Sequence, residues 1–200
     1  MRAVSKLDQF LDDYLERFLQ GNRAGQHLVN KLNDCGIGLM PVLDHVTLRT
    51  HNVERRARPI IDFGFVEDTR IGVLEFDSWW AKVYRKQGYP AFFIDQAYDD
   101  KRGEASLIPQ WVDMHGDECF HHIAILVEDI ESAIFAMERD GFQMAGDIVG
   151  GDDSDLRQVF TTPEIRNGES YTVLELIERH NGYAGFLPPQ ADSLMESTRR

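Results

Sequence analysis

Two hundred residues, 42% hydrophobic and 28% charged, describe one domain or a tight pair of half-domains sharing a core, and exclude collagen, coiled coil and intrinsic disorder. The 34 acidic residues outnumber the 21 basic ones and leave a net charge of -13, which repels phosphate backbones and anionic lipid, so neither a nucleic-acid nor a membrane partner is expected. No apolar run approaches the roughly 18 residues of a membrane span, and the N-terminus is amphipathic rather than signal-like, so a cytoplasmic protein is expected.

Leu7, Phe10, Leu11, Tyr14, Leu15 and Phe18 recur at helical spacing, Gly21-Asn22 interrupts them, and the pattern resumes from His27 to Asn33. Residues 1–34 therefore read as a helical pair. After Cys35-Gly36-Ile37-Gly38 the pattern changes to short β-rich runs, beginning with Val42 to Thr50. This divides the chain into a helical segment over residues 1–40, a first module over 41–118 and a second over 119–200 that ends in a tail. Cys35 and Cys119 have no CxxC or histidine spacing around them and are expected to be buried small hydrophobes.

An internal repeat organises the rest. Residues 43–65 align without a gap to residues 120–142, an offset of 77, with His45 on His122, Glu54 on Glu131, Gly64 on Gly141 and Phe65 on Phe142. The matches fall on the punctuation of one unit: a β-run, a helix capped by Asn52 or Asp129, then Gly-Phe opening the next strand. Pro59 falls inside the first of these helices and is expected to kink it or delay its start. Further strands are expected at Gly72 to Asp77, Ala81 to Arg85 and Ala91 to Asp95, then at Arg157 to Thr161 and Tyr171 to Arg179. The fold class is thus α+β, two tandem βαβββ units pairing their sheets around a shared cleft.

Strand alternation assigns faces. Val46 and Leu48 belong under the helix, leaving His45, Thr47 and Arg49 in the cleft. In the second copy Ile123, Ile125 and Val127 take the helix face together with His121, and His122, Ala124 and Leu126 face the cleft. Glu175 shares a face with Tyr171, Val173 and Ile177, where a carboxylate is costly unless it is paired or bound to metal. One reading pairs it with Arg157 or Arg179. The other joins it to His45 and His122 as a 2-His-1-carboxylate set, which suits non-haem Fe(II) and leaves adjacent coordination positions open.

Arg49 lies about 13 Å along the strand from His45. It is either a clasp for a substrate carboxylate or an exposed strand-end residue. Gln158 is either a donor to a bound oxo acid or an ordinary strand residue. Gly150 to Asp155 lacks the spacing and terminal Glu of a calcium-binding EF-hand and reads as a hairpin loop. His27, His51, His115 and His180 have no histidine at the equivalent repeat position and read as surface or outer groups. Trp79, Trp80, Tyr84, Tyr89, Phe92 and Phe93 read as core and cleft wall.

These residues resemble the vicinal-oxygen-chelate (glyoxalase-like) superfamily of paired βαβββ modules. HHIAILVEDI, LRQVFTTPE and VLELIERHNGYAGF, within residues 120–186, are similar to the C-terminal half of 4-hydroxyphenylpyruvate dioxygenase. Over nearly the whole chain, FLDDYLERFLQGNRAGQHLVNKL, LDHVTLRT, FFIDQ, GGDDSD and ADSLMEST resemble short members of the 2-oxoadipate dioxygenase/decarboxylase family. QVFTTP departs from that family's serine-rich run. The resemblance implies Fe(II), or another divalent metal, on His45, His122 and Glu175, with Arg49 clasping a carboxylate. It implies an oxidoreductase that takes a 2-oxo acid and O2 to a 2-hydroxy acid and CO2. Two alternatives stand beside it: a glyoxalase-type metal-dependent isomerase or lyase, and a metal-free binder of a small ligand. The oligomeric state is left open, a monomer being one option, and the segment from Gly182 onward is expected to close over the cleft.

Overall fold

A computed structural model describes residues 5–198. Two helices, α1 (Lys6–Gln20) and α2 (Arg23–Asp34), precede a first unit of β1 (Leu43–Arg49), α3 (Val53–Asp62), β2 (Val66–Glu67), β3 (Leu74–Glu75), β4 (Trp79–Arg85) and β5 (Ala91–Ala97). Helix α4 (Ile108–His115) leads to a second unit. It comprises β6 (Phe120–Val127), α5 (Ile130–Arg139), β7 (Leu156–Phe160), the hairpin β8 (Ile165–Arg166) and β9 (Glu169–Ser170), and β10 (Val173–Arg179). Helix α6 (Pro188–Ser197) follows. None of the helices is long and apolar enough to cross a membrane among the described residues.

The repeat is visible in the local chemistry. Asn52 and Asp129 accept from the backbone N–H three residues on, opening α3 and α5 at equivalent points. Gly64 and Gly141, at φ 87° and 92°, supply the left-handed turn after each helix. Pro59 sits inside α3 without delaying it, since the Asn52 cap starts the helix at Val53.

One mixed sheet runs in the order β2-β4-β5-β1-β6-β10-β7, with β3 added on β4. Its centre is the antiparallel pair β1–β6, and each of these strands has a parallel partner from its own unit, β5 for β1 and β10 for β6. One sheet face packs under α1, α3 and α5 in a core that includes Phe18, Leu48, Phe92, Phe120 and Ile123. The other face carries a second cluster around Trp79, Phe93, Trp111, Phe186 and Met195, covered by α4 and α6.

Three expectations need correction. Cys35 is exposed, because it caps the solvent end of α2, whereas Cys119 is buried. The strand expected at residues 72–77 narrows to Leu74–Glu75, the only stretch with a ladder partner on β4. His121 is not on the helix face: the β1–β6 ladder pairs Thr47 with His122 and Leu48 with Phe120, so His121 is an extra, bulged residue. The bulge returns Phe120 to the helix-side core and turns His121 toward the cleft.

Among the polar ties of the helical pair to the second unit, Asn22 is the buried one. Asn22 is 1% exposed, caps α2 by accepting from Gly25 N–H, and donates to Thr172 Oγ1, which in turn donates to the Gly21 carbonyl. A Cβ on Gly21 would come within 2.7 Å of the Tyr171 ring, so the approach requires glycine. Asn22→Ala removes a cap and the donor to a buried hydroxyl oxygen, and should cost about 1–3 kcal/mol in denaturant unfolding.

Candidate metal centre

The two central strands each carry a bulge immediately before a histidine. In β1 the ladder steps from Leu43 to His45 opposite Ile125 and Ala124, leaving Asp44 as the extra residue; in β6 the extra residue is His121. Asp44 and His121 are therefore equivalent in the repeat and in the geometry. Each turns its side chain onto the Nδ1 of the following histidine, Asp44 Oδ1 at 2.8 Å from His45 and His121 Nδ1 at 2.9 Å from His122. With Nδ1 engaged, the Nε2 atoms of both rings lie 3.3 Å from the same oxygen, Glu175 Oε2, and that of His122 also meets Thr47 Oγ1 at 2.7 Å.

Candidate ligand atoms of His45, His122 and Glu175 all lie within 4.8 Å of one another. Glu175 is 1% exposed and its Oε1 has no hydrogen-bond partner. Neither arginine weighed as its partner reaches it: Arg179 clamps Asp44 with bonds of 2.8 and 2.9 Å, and Arg157 pairs with Glu131, Asp152 and Glu178. A buried carboxylate with an orphaned oxygen and two imidazole nitrogens aimed at it has the chemistry of a divalent-metal site. His45, His122 and Glu175 would hold the ion; Asp44, His121 and Arg179 would orient the ligands.

Parallel registers match His45 with Ala91 on β5 and His122 with Val173 on β10, so the first-unit counterpart of Glu175 is Phe93. The duplicated frame thus offers three ligands rather than four.

Charge follows the two bulged residues. Burial opposes protonation of His45, but Glu175 and Asp44 outweigh it and raise its pKa above the ordinary value. Burial, with positive His45 and Arg49 nearby, keeps His122 well below it. Asp44 is held below the usual carboxylate range, against its own burial, by bonds from His45 and Arg179.

Three phenylalanines wall the ligands. Phe186 meets His45 edge-on at 5.0 Å, Phe160 lies 5.0 Å from His122, and Phe93 lies 6.4 Å from His45. Arg49 is 3% exposed rather than an exposed strand end, and its Nη2 rests 2.9 Å from the Met195 thioether of α6. Gln158 is buried beside the ligands and donates to Gln190, also on α6. Trp79 donates to Asp192 on the same helix. Helix α6 leaves a cavity of about 40 Å³ beneath it, room for a few waters.

Sequence reasoning put His45, Arg49 and His122 on the cleft face and weighed Glu175 and Gln158 as site residues; all five line this cavity. It missed Asp44, His121 and Arg179 as supporting groups, because a bulge leaves no periodic trace; the one available signal was a polar residue directly before each repeat histidine. The other histidines are peripheral: His27 pairs with Asp140, His51 with Asp113 and His180 with Glu178, and His115 meets the Ser170 carbonyl. Residues 150–155 form a loop between the Val149–Gln158 bridge and β7.

No protein-family model matches the chain. No curated protein matches it either. Solved structures do. A putative hydrolase from Shewanella frigidimarina aligns over 94% of this chain and 100% of its own, with TM-score 0.74 at 17% identity. A putative glyoxalase superfamily protein from Ralstonia eutropha aligns over 86% of this chain and 82% of its own, with TM-score 0.62 at 13% identity. The fold is glyoxalase-like. A 4-hydroxymandelate synthase variant from Streptomyces coelicolor shares it over 78% of this chain and 54% of its own, with TM-score 0.57 at 18% identity.

Within the glyoxalase-like frame the ligands and their supports make separable predictions. Glu175→Ala should abolish stoichiometric binding of a divalent ion in equilibrium dialysis. Asp44→Asn keeps the ligand set but weakens the hold on His45, and should lower affinity about 10- to 100-fold in chelator competition.

Proposed function

We propose that this cleft is the active centre of an Fe(II)-dependent dioxygenase that decarboxylates a 2-oxo acid, using O2 to give a 2-hydroxy acid one carbon shorter and CO2. The observation that carries the reading is the convergence of His45, His122 and Glu175, with Phe93 where a fourth ligand would stand. A 2-His-1-carboxylate set suits Fe(II) and leaves open positions for both a chelating substrate and oxygen. The resemblance to the 2-oxoadipate dioxygenase/decarboxylase family supplies the substrate class.

The chain's own residues do the rest. Asp44 and His121 fix which ring nitrogen of each histidine faces the centre. Phe93, Phe160 and Phe186 exclude water, which protects reactive species and strengthens every charge interaction inside. Arg49 offers a guanidinium on the cavity wall, away from the ligand trio along β1, suited to a second carboxylate. Gln158 presents its carboxamide to the same space.

Ligand pockets usually measure about 300–1,000 Å³, so the cavity of about 40 Å³ describes a closed arrangement. Helix α6 must lift to admit a substrate. Its polar ties to the cleft include contacts from Trp79, Gln158 and Arg49 and the bond from Gln190 to the Leu156 carbonyl.

Anaerobic loading with Fe(II) followed by oxygen-electrode screening of 2-oxo acids should show one O2 consumed per CO2 released, with dicarboxylic substrates preferred. Zn(II)-loaded protein turning over without oxygen would instead identify an isomerase or lyase. Arg49→Leu should raise KM for a dicarboxylic substrate about 10- to 100-fold, equivalent to about 1.5–3 kcal/mol of charge-assisted bonding. Chymotryptic cleavage within residues 182–197 should slow when substrate is added, as α6 closes over the filled cleft.

A further inference from the structure

Arg49 and Asp95 face each other across the parallel pair β1–β5, in register, and both line the metal cavity. Both are almost fully buried, at 3% and 2% exposure. Buried opposite charges at adjacent positions ordinarily collapse into a forked pair, as Arg179 and Asp44 do in this same protein with two bonds under 3 Å. Here the pair is held open. Arg49 Nε lies 4.0 Å from Asp95 Oδ2, and both Arg49 Nε and Asp95 Oδ1 lack any hydrogen-bond partner. The guanidinium's nearest acceptor is the thioether of Met195, a weak one, on the helix that has to move.

Two orphaned polar atoms on neighbouring strands, buried and facing one cavity, carry a standing cost of several kcal/mol unless a ligand takes them up. A guanidinium alone would select any anion; a carboxyl group beside it adds a condition. Ionised, it repels an incoming carboxylate and competes for Arg49. Neutral, it offers an O–H.

We propose that Asp95 is a specificity-determining residue that binds substrate as a neutral acid, its O–H and the Arg49 Nε–H donating to the two oxygens of a carboxylate at the substrate end remote from His45, His122 and Glu175. The centre is then selective for dicarboxylates, and Met195 yields its place on Arg49 when the ligand enters. This rests on the reading of the cleft as a site for 2-oxo acids.

The surroundings of Asp95 suit that state. Burial pushes its pKa up to about 7, and Arg49, the charge facing it from β1, offsets this only in part. On β6, His121 is kept well below its ordinary value by burial and by Arg49, and is neutral. From α6, Asp192 is engaged by Trp79; on β4, Lys82 is paired with Glu54 and Glu67. On α4, Asp113 pairs with His51, and burial lowers the pKa of His115. The sign follows: the folded protein holds the Asp95 proton below about pH 7 and loses it above, so anion binding weakens as pH rises.

The test avoids oxygen chemistry by using glutarate, an inert dicarboxylate, with Zn(II)-loaded protein in titration calorimetry between pH 6.5 and 9. Glutarate should bind the wild type with up to tenfold weaker affinity per pH unit above 7. At pH 8 binding should take up close to one proton, read from buffers of different ionisation enthalpy. Asp95→Asn keeps a donor that cannot ionise, and should bind with flat affinity and no proton uptake. Wild-type binding that is independent of pH without proton uptake, or a pH dependence that survives in Asp95→Asn, overturns the proposal. So does failure of the wild type to bind glutarate at pH 6.5. The wild-type proton count needs no variant to fold. Glutarate behaving as expected in a protein that consumes no oxygen would remove the dioxygenase reading and leave this subsite standing; oxygen consumption with unlinked glutarate binding would do the reverse.

Discussion

The antiparallel pairing of β1 with β6 is the constraint on which the rest depends. It joins the two units, and it brings His45 and His122 onto facing strands two register positions apart, opposite Ala124 and Thr47. The bulges at Asp44 and His121 interrupt that ladder at its two ends. Each one costs regular pairing, but each also sends an apolar neighbour, Leu43 or Phe120, into the helix-side core. Phe120 packs there against Tyr14 and Phe92, fully buried, and burial of such a ring offsets about 1.5–3 kcal/mol. The geometry of the two histidines is thereby anchored by hydrophobic packing on the far side of the same strands.

The two sheet faces divide the work of stability and chemistry. The helix-side core is almost wholly aliphatic and aromatic. The cleft face concentrates His45, Arg49, Asp95, His121, His122 and Glu175 within an apolar wall. Charges in that setting are weak evidence for stability, since desolvation can exceed their mutual attraction. The structural pair Arg179–Asp44 has short, forked bonds, whereas Glu175, Arg49 and Asp95, all lining the cavity, each keep a buried atom without a hydrogen-bond partner.

Much of this arrangement was legible in the residue order. The repeat put His45 and His122 at one structural position, and alternation put Arg49 on the same face. Glu175 stood out for its apolar company. Alternation failed at His121, because period-two reasoning assumes an unbroken ladder and a bulge resets it. Helix α4 went unread because its eight residues mix Trp111 and Val112 with Asp113 and His115 and lack a side-chain cap. Helix α6, beginning at Pro188 without a capping side chain, gave only a turn-rich path. Asp95 drew no attention because one acid in a β-run is unremarkable until its partner strand is known. Cys35 was misjudged on residue type alone, which says little at a helix end.

The pairing of an odd residue with each ring also changes which kinds of genetic variation the centre can survive. Losing one codon at Asp44 or His121 would let the hydrogen-bond ladder close without interruption, and the backbone would be more regular for it. The same loss would rotate every residue upstream in that strand to the opposite side, carrying Leu43 or Phe120 into the cleft. At these two points the number of residues matters as much as their identity, and the local irregularity is what keeps two otherwise ordinary strands aimed at one spot.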